Sequence, residues 1–269
     1  TELGGVLEDI LARTESSSTS AAASSAVLSD EANQFTARFN PDDWSGTVIS
    51  ENISDGTQNW DAEVELRNNN SRNLFSHDGA DGVPLELNKL SADQQEALDT
   101  SLGGANDGLA SDRIDWLTGE SVDGLRSRDS PDGIRLLGDI VNSNPQIERK
   151  TNFGHARLPD GNYRDYRNSD VYQDRPDVLY VGANDGFLHG FHAETGEELF
   201  AYMPGSLLEP ETGNDFAQIN ELMNPEYEHR FYVDGTPTIA DAFLDGEWRT
   251  ILVGSMGVGG ESVFALDIT

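Results

Sequence analysis

The sequence predicts an all-β fold built from repeated four-stranded antiparallel units. Residues 175–204 contain three apolar runs separated by two turn signals, NDG and ETG, which is the pattern of a three-stranded meander. Residues 248–269 follow a similar pattern. A related short segment precedes each stretch, residues 139–147 before the first and residues 234–239 before the second. Each unit is therefore predicted to contain four strands.

The repeat suggests how the units pack. Residues 179–182 can be laid on residues 251–254, and a repeated four-stranded unit that cannot bury both faces alone is typical of a β-propeller blade. We therefore expect a partial, quinoprotein-like β-propeller with one blade at about residues 136–204 and a second, truncated blade at about residues 230–269. An ordinary antiparallel sandwich is the alternative, because two partial copies are weak statistics.

The N-terminal residues differ from this pattern. Residues 1–13 have apolar side chains at helical spacing, and residues 16–29 are almost entirely Ser and Ala, a composition typical of linkers. We expect residues 1–34 to form a helix and a linker, and residues 35–269 to form an incomplete propeller domain. The chain starts with Thr1 and stops within the second unit, so it is interpreted as a fragment of a longer polypeptide.

Two short helices are predicted between the strand regions. Ser91 and Gln94 form a capping-box pattern, in which each side chain satisfies a backbone donor at the start of a helix. That helix is expected to run to about Leu102, and a second to cover residues 112–117. We interpret residues 88–119, about the extent of these helices, as an insertion that decorates the sheet domain.

A second insertion lies within the first unit. Residues 148–174 separate its first two strands, whereas the second unit has a shorter connection there. Such a loop lies on the rim of a propeller, where binding surfaces are built. Asp160, Asn162 and Asp165 lie in this insertion, but they lack the regular spacing and the closing Glu of a calcium loop. A plain turn is the favoured interpretation and a cation site the alternative.

The charge of the chain argues against nucleic acid as a partner. Seventeen Lys and Arg face 49 Asp and Glu, giving a formal net charge of -32, which repels phosphate backbones and anionic membranes. The excess of carboxylates favours cations and suits a saline habitat. The chain contains no cysteine, so it offers no disulfide or thiolate metal site. No apolar run approaches the roughly 18 residues of a membrane span.

The candidate chemical motifs are weak. His189 and His192 are three residues apart on a predicted strand, so their side chains point to opposite faces and are expected to pack or hydrogen-bond rather than share a metal. The glycine-rich residues 254–260 lack the Lys of a phosphate-binding loop and are interpreted as a hairpin turn. No nucleophile-elbow motif is present. We therefore assign no catalytic, cofactor-binding or metal-binding residue.

Five segments of the sequence read FNPDDWSG, LGDIVNSNP, VLYVGANDGFLHGFHAETGEELFAYMP, HRFYVDG and WRTILVGSMGVGGESVFALDIT, at residues 39–46, 137–145, 178–204, 229–235 and 248–269. Together they resemble the PilY family of type IV pilus proteins. They follow the order of that family and cover most of the chain from Phe35 onward. By this resemblance the chain is the N-terminal part of the family's C-terminal β-propeller region.

The resemblance implies a non-enzymatic role. Proteins of this family promote pilus extension, attach cells to host or abiotic surfaces and act with minor pilins, so we expect an exported protein of the periplasm, outer membrane, cell surface or pilus tip. Calcium is expected only in the full-length parent, and no cofactor in this fragment. A quinone-dependent dehydrogenase, which needs tryptophan-docking motifs in most blades, and a secreted carbohydrate-binding propeller are the alternatives.

Overall fold

The computed structural model describes residues 17–23, 33–69, 71–159 and 161–269, and for residues 17–23 it describes the backbone only. The helix predicted at residues 1–13 lies outside the described residues. The strands are β1 (Ser17–Ala23), β2 (Asn33–Asn40), β3 (Ser45–Asn52), β4 (Gln58–Asp61), β5 (Leu74–His77), β6 (Gly82–Pro84), β7 (Asp129–Ser130), β8 (Gly133–Ile134), β9 (Gln146–Glu148), β10 (Val178–Gly182), β11 (Leu188–His192), β12 (Glu198–Tyr202), β13 (Thr238–Leu244), β14 (Glu247–Ser255) and β15 (Val263–Asp267).

These strands form three main sheets. Sheet 1 has the order β1-β2-β3-β4, sheet 2 the order β6-β5-β12-β11-β10-β9, and sheet 3 the order β13-β14-β15, while β7 and β8 form a small separate hairpin. Neighbouring strands are antiparallel except for β5, which pairs in parallel with β12. The four-stranded meander predicted for the first unit is therefore present as β9 to β12, extended at its edge by β5 and β6.

The helices connect and cover the sheets. They are α1 (Ala62–Asn68), α2 (Ala92–Leu98), α3 (Ala110–Thr118), α4 (Tyr163–Asn168) and α5 (Asp170–Asp174), with 3-10 turns at Leu87–Lys89, His155–Arg157, Gly205–Leu208, Gln218–Met223 and Gly257–Gly259. The capping box predicted at Ser91 and Gln94 is confirmed at the start of α2. That helix ends at Leu98, four residues earlier than predicted. No helix among the described residues is long and apolar enough to cross a membrane.

Part of the predicted Ser/Ala linker is a strand, which corrects the sequence-based prediction. Strand β1, within residues 16–29, pairs along its length with β2 in antiparallel register. Composition did not reveal this strand, because the backbone makes the ladder hydrogen bonds while Ser and Ala give no alternation of apolar side chains. Sheet 1 is consequently a second four-stranded meander beside β9 to β12, and the sequence pattern did not predict it.

Sheet 2 lies between the other two sheets. On one face, Leu179 and Phe191 share a core cluster with Phe35 and Trp60 of sheet 1. On the other face, Tyr202 packs against Phe264 of sheet 3 with ring centroids 5.1 Å apart. The three sheets therefore stack in chain order, with sheet 2 packed against sheet 1 and sheet 3 packed against sheet 2.

The stacking corrects the predicted register of the repeat by one residue. The sequence alignment matches Leu179 with Ile251. In the structure, Leu179 lies on the back face of sheet 2, the face that packs against sheet 1. In sheet 3 the residue on the equivalent back face is Leu252, which is buried in the core cluster shared with sheet 2. Side chains alternate along a strand, so a slip of one residue reverses every face. The matching pair is therefore Leu179 and Leu252. The side chain of Ile251 lies on the forward face of sheet 3, the face that points away from sheet 2.

Candidate functional site

The loops at one end of the stacked sheets meet in a shared junction. Gly46, after the β2–β3 turn, donates its backbone N–H to Leu137 O at 2.8 Å, and Asp139 N donates to Trp44 O at 3.2 Å. The turn after β10 joins in, since Asn184 N donates to Asp139 O at 2.9 Å. The segment that enters sheet 2 is thus held between the turns of sheets 1 and 2.

Glycine is required where these backbones cross. A Cβ on Gly46 would lie 2.1 Å from Gly138 O, and one on Gly138 would lie 2.3 Å from Asp185 N. Neither contact can be relieved by rotating a side chain, because the colliding atoms are backbone. The two glycines therefore set how closely the turns of sheets 1 and 2 approach each other.

A second feature of the junction is the buried carboxylate of Asp139. It accepts hydrogen bonds from Asn184 Nδ2 at 2.7 Å and pairs with His229 Nε2 at 2.8 Å. Burial raises the pKa of Asp139, and the contacts with Asn184 and His229 oppose that shift. Tyr232 N donates to Asn184 Oδ1 at 3.0 Å, so this network ties the segment that enters sheet 3 to the turn of sheet 2.

Four buried charged side chains form a network on the face of sheet 2 that packs against sheet 1. Arg72 makes a bidentate contact with Glu198, at 2.7 and 2.8 Å. His189 Nδ1 lies 2.8 Å from the same carboxylate, and His189 Nε2 lies 3.1 Å from Asp185 Oδ2. The network contains two basic and two acidic groups, so its charges can balance without solvent.

The environment shifts the pKa values within this network. Burial alone lowers the pKa of His189, but Asp185 and Glu198 outweigh it and raise the pKa to about 9. Burial raises the pKa of Glu198, yet Arg72 and His189 lower it to about 2. At neutral pH all four side chains are therefore charged, and each has an opposite charge within hydrogen-bonding distance.

Glu63 is a separate buried acid, in helix α1. Its two carboxylate oxygens accept the backbone N–H groups of Leu136 and Leu137 at 3.1 and 3.0 Å. Burial raises its pKa to about 7 even though these hydrogen bonds oppose the shift. Glu63 satisfies two backbone donors that lie away from water and so fixes the segment leading into the junction.

A polar cavity of about 380 Å³ opens beside the junction. We call it the arginine pocket, and its lining includes Asp42, Asp43, Trp44, Trp116, Arg126, Arg128, Asp129, Arg135, Asp139, Asn184, Asp185 and Tyr227. The guanidinium of Arg128 lies over the ring of Trp116 at 3.6 Å, and that of Arg126 over Tyr227 at 4.0 Å. The pocket thus combines stacked guanidinium groups with the backbone junction of two sheets.

The residues singled out in the sequence occupy different places. His189 has the predicted hydrogen-bonding role, and His192 Nδ1 accepts the backbone N–H of Glu194 at 3.2 Å. The glycine-rich residues 254–260 connect β14 to β15, as the hairpin interpretation predicted. Asn162 and Asp165 contact each other, but Asp160 lies outside the described residues. Within the described ranges, no group of three or more His, Asp or Glu side chains could hold a metal ion.

Sequence reasoning missed the ion network and the pocket. Arg72 and Glu198 are 126 residues apart in the chain, and no local pattern links them. Arg126 and Arg128 lie in a loop with no periodic signal. Composition alone shows that Lys and Arg are scarce, 17 against 49 acidic residues, but it does not single out Arg126 or Arg128, because the nearest aromatic residue, Trp116, is ten positions before Arg126.

The stacked antiparallel meanders define a β-rich protein with several antiparallel sheets. Residues 137–269 match the family model described as the PilY1 beta-propeller domain. This part of the chain belongs to the PilY1 β-propeller family, and the resemblance seen in the sequence is confirmed.

Curated relatives agree with that match. The chain is 38% identical over 193 residues to the type IV pilus biogenesis factor PilY1 of Pseudomonas aeruginosa strain PAO1, covering 67% of this chain and 15% of the relative. It is 32% identical over 240 residues to PilY1 of strain UCBPP-PA14, covering 84% of this chain and 18% of the relative. A PilY1 homolog of Xylella fastidiosa is 39% identical over 166 residues, covering 58% and 11%.

The chain therefore spans less than a fifth of the length of these curated relatives. No solved structure matched the chain.

Proposed function

We propose that the chain is the propeller region of a non-enzymatic protein of type IV pilus assembly and adhesion. The observation that carries the proposal is the match of residues 137–269 to the PilY1 propeller model, joined by relatives whose printed name is type IV pilus biogenesis factor. In this proposal the region supports pilus extension and surface attachment, and it acts as a rigid scaffold rather than as a catalyst.

The proposed architecture is a partial β-propeller in which sheets 1, 2 and 3 are successive blades. The stacking in chain order supports it, because sheets 2 and 3 each turn the equivalent face, that of Leu179 and Leu252, toward the sheet before it. The forward face of sheet 3 carries Ile251, Val253 and Val263, and Val253 and Val263 are 46% and 75% exposed. Apolar side chains are costly to leave in water, so a further blade of the parent protein is proposed to cover this face.

The proposed location is the cell envelope or the pilus, outside the cytoplasm. The proposed partners are pilus components such as minor pilins, together with host or abiotic surfaces. The relatives' printed names support a place in pilus biogenesis. The net charge of -32 supports protein or surface partners over nucleic acid.

Deletion of the encoding gene in its own organism tests this proposal. Surface pili would be counted by electron microscopy, and attachment measured, in the deletion strain and in strains complemented with the wild-type gene or a Gly138→Val variant. We expect loss of pili and attachment, rescue by the wild-type gene, and failure of the variant because its side chain collides with the backbone of Asp185.

Unchanged pilus number and attachment in the deletion strain would contradict the proposed function. Quinone reconstitution that yields alcohol oxidation by the purified protein would replace it with the dehydrogenase alternative.

A further inference from the structure

Within the described part of the chain, the two stacked arginines of the arginine pocket donate hydrogen bonds to backbone carbonyls and form no ion pair. Arg126 Nη2 donates to Asp43 O at 2.8 Å, and Arg128 Nη2 donates to Trp116 O at 2.6 Å. These acceptors are backbone carbonyls. Among the described residues, no carboxylate forms an ion pair with either guanidinium, whereas the nearby Arg135 pairs with Asp132 at 3.5 Å. No ion pair among the described residues therefore neutralises the positive charge of Arg126 or Arg128.

The aspartates of the pocket are engaged by other groups. Asp43 Oδ1 accepts the hydroxyl of Ser45 at 2.6 Å, and Asp129 accepts hydroxyls from Ser121 and Ser127 at 3.3 and 3.0 Å. Asp139 and Asp185 belong to the buried networks described above. Asp42, Asp43 and Asp129 are exposed at the mouth, where solvent and salt screen their charges.

The two guanidiniums are more buried than those aspartates. Each is flattened against an aromatic ring, which covers one face and leaves the edge with its N–H groups available. A guanidinium has five N–H donors, and one of the two contacts found for Arg128 is a long one, 3.3 Å to Glu120 O. Unused donors therefore remain beside a cavity large enough for a small molecule.

The protonation equilibria agree with this picture. Burial lowers the pKa of Arg128 to about 9, and the positive charges of Arg72 and Arg126 add to the shift. Burial also lowers the pKa of Arg126, although Asp139 and Asp43 offset part of the effect. Both groups are thus destabilised in their charged form, and a bound negative charge would relieve that cost.

We propose that the arginine pocket binds a small oxyanion, a carboxylate or phosphate group, between Arg126 and Arg128. The planar N–H edge of a guanidinium matches two oxygens of such a group. The aromatic floor formed by Trp116 and Tyr227 fixes both side chains before the ligand arrives, which reduces the entropy lost on binding. Because the pocket adjoins Asp139 and Asn184, occupancy would stiffen the junction between the turns of sheets 1 and 2.

Binding can be measured on the intact chain through tryptophan fluorescence, because Trp116 stacks directly on Arg128. Sodium succinate and inorganic phosphate are titrated separately at constant ionic strength, with sodium chloride as the reference salt. We expect a saturable change with one or both oxyanions and none with chloride, and the stronger of the two identifies the preferred group.

Three substitutions assign the site. Arg128→Gln and Arg126→Gln are each expected to weaken binding by about tenfold, the effect of losing roughly one charge-assisted contact. Arg128→Lys keeps the charge but loses the planar edge, so it should also bind less tightly. The matched control is Arg249→Gln, which removes an arginine paired with Asp267 on sheet 3 and should leave binding unchanged.

Two results would overturn the proposal. One is the lack of any saturable change with either oxyanion in the wild-type chain. The other is equal weakening by the Arg249→Gln control, which would assign the effect to overall charge. If Arg128→Gln fails to fold, as judged by circular dichroism, Arg126→Gln and Arg128→Lys decide the question.

Discussion

The packing interface between sheets 1 and 2 differs from the packing interface between sheets 2 and 3. In the first, Trp60 on β4 is buried, its indole N–H donates to Ala193 O at 3.1 Å, and its ring lies over Gly196. In the second, Phe200 on β12 is half-buried and lines a groove of about 470 Å³ beside Ile268 and Thr269. Both aromatic residues lie on the last strand of a meander.

The difference shows what closes a contact between two neighbouring sheets. Trp60 reaches the turn that follows β11, and Gly196 within this turn has a φ of 76° and no side chain, so the ring can lie directly on the backbone. Phe200 borders the groove together with Ile268 and Thr269, the residues that follow β15. Apolar faces alone bring sheets together, but a large ring on a glycine turn fixes their distance and angle.

The largest loss of stability is expected at the interface between sheets 1 and 2. Trp60→Ala should lower the free energy of unfolding by about 3–5 kcal/mol, because it leaves a cavity and removes a buried hydrogen bond. Trp60→Phe is the control that keeps the aromatic ring and loses the hydrogen bond, and it should cost less. Urea unfolding followed by circular dichroism measures both. A cost for Trp60→Ala below that of Trp60→Phe would contradict the account.

The next largest loss of stability is expected in the buried charge network of Arg72, Asp185, His189 and Glu198, which lies on the same face of sheet 2. Glu198→Gln should destabilise the protein by about 3 kcal/mol, because Arg72 and His189 lose their buried partner. The double variant Arg72→Met with Glu198→Gln should recover part of that loss, because the uncompensated guanidinium is gone. Urea unfolding measures the difference. Simple addition of the two single effects would show that the pair is not coupled.

The same network predicts a dependence on pH. The folded pKa of His189 is about 9, above the ordinary 6.5, so its contribution to stability is fully present below pH 6.5 and is lost as the pH rises toward 9. We expect stability to fall by on the order of 2 kcal/mol across that range. Unfolding of the wild type and of His189→Gln at pH 6.5 and pH 9 checks this. An equal fall in the variant would assign the effect elsewhere.

The smallest loss of stability is expected for a substitution at the interface between sheets 2 and 3. Phe200→Ala removes a half-buried ring that borders a groove, so it should cost about 1–2 kcal/mol, less than Trp60→Ala. Thermal unfolding of the two variants side by side provides the comparison. A larger loss of stability for Phe200→Ala than for Trp60→Ala would contradict the account, because it would mean that sheets 2 and 3 pack at least as closely as sheets 1 and 2.

Local signals made part of this fold predictable. The meander of β10 to β12 was predicted because two glycine-containing turn signals separate three apolar runs, and the N-terminus of α2 because Ser91 and Gln94 have capping-box spacing. Both are short-range patterns in which each residue's preference agrees with its neighbours.

Other parts were beyond local reasoning. Strand β1 consists of Ser and Ala, so its place in a sheet is set by its pairing with β2 and not by its own composition. The register of the repeat differs by one residue from the sequence alignment, because the shared Val-Gly pattern does not show which side chains face the preceding sheet, whereas the burial of Leu179 and Leu252 does.

The candidate site was harder still to predict. Its arginines, aspartates and histidines come from segments far apart in the chain, and they meet because glycines at positions 46 and 138 let three backbone segments cross. The contact between Arg72 and Glu198 is a consequence of the fold, so a search for local motifs passes over it.

A double-mutant cycle between Trp60 and Gly196 tests the stacking of sheet 1 on sheet 2 most directly. A Cβ at position 196 would lie 2.7 Å from the indole ring, so Gly196→Ala should be severely destabilising in the wild type and clearly less so beside Trp60→Ala, where only the strain of the positive φ remains. We predict a coupling energy of at least about 1 kcal/mol. Additive effects of the two substitutions would show that the indole does not lie on this turn.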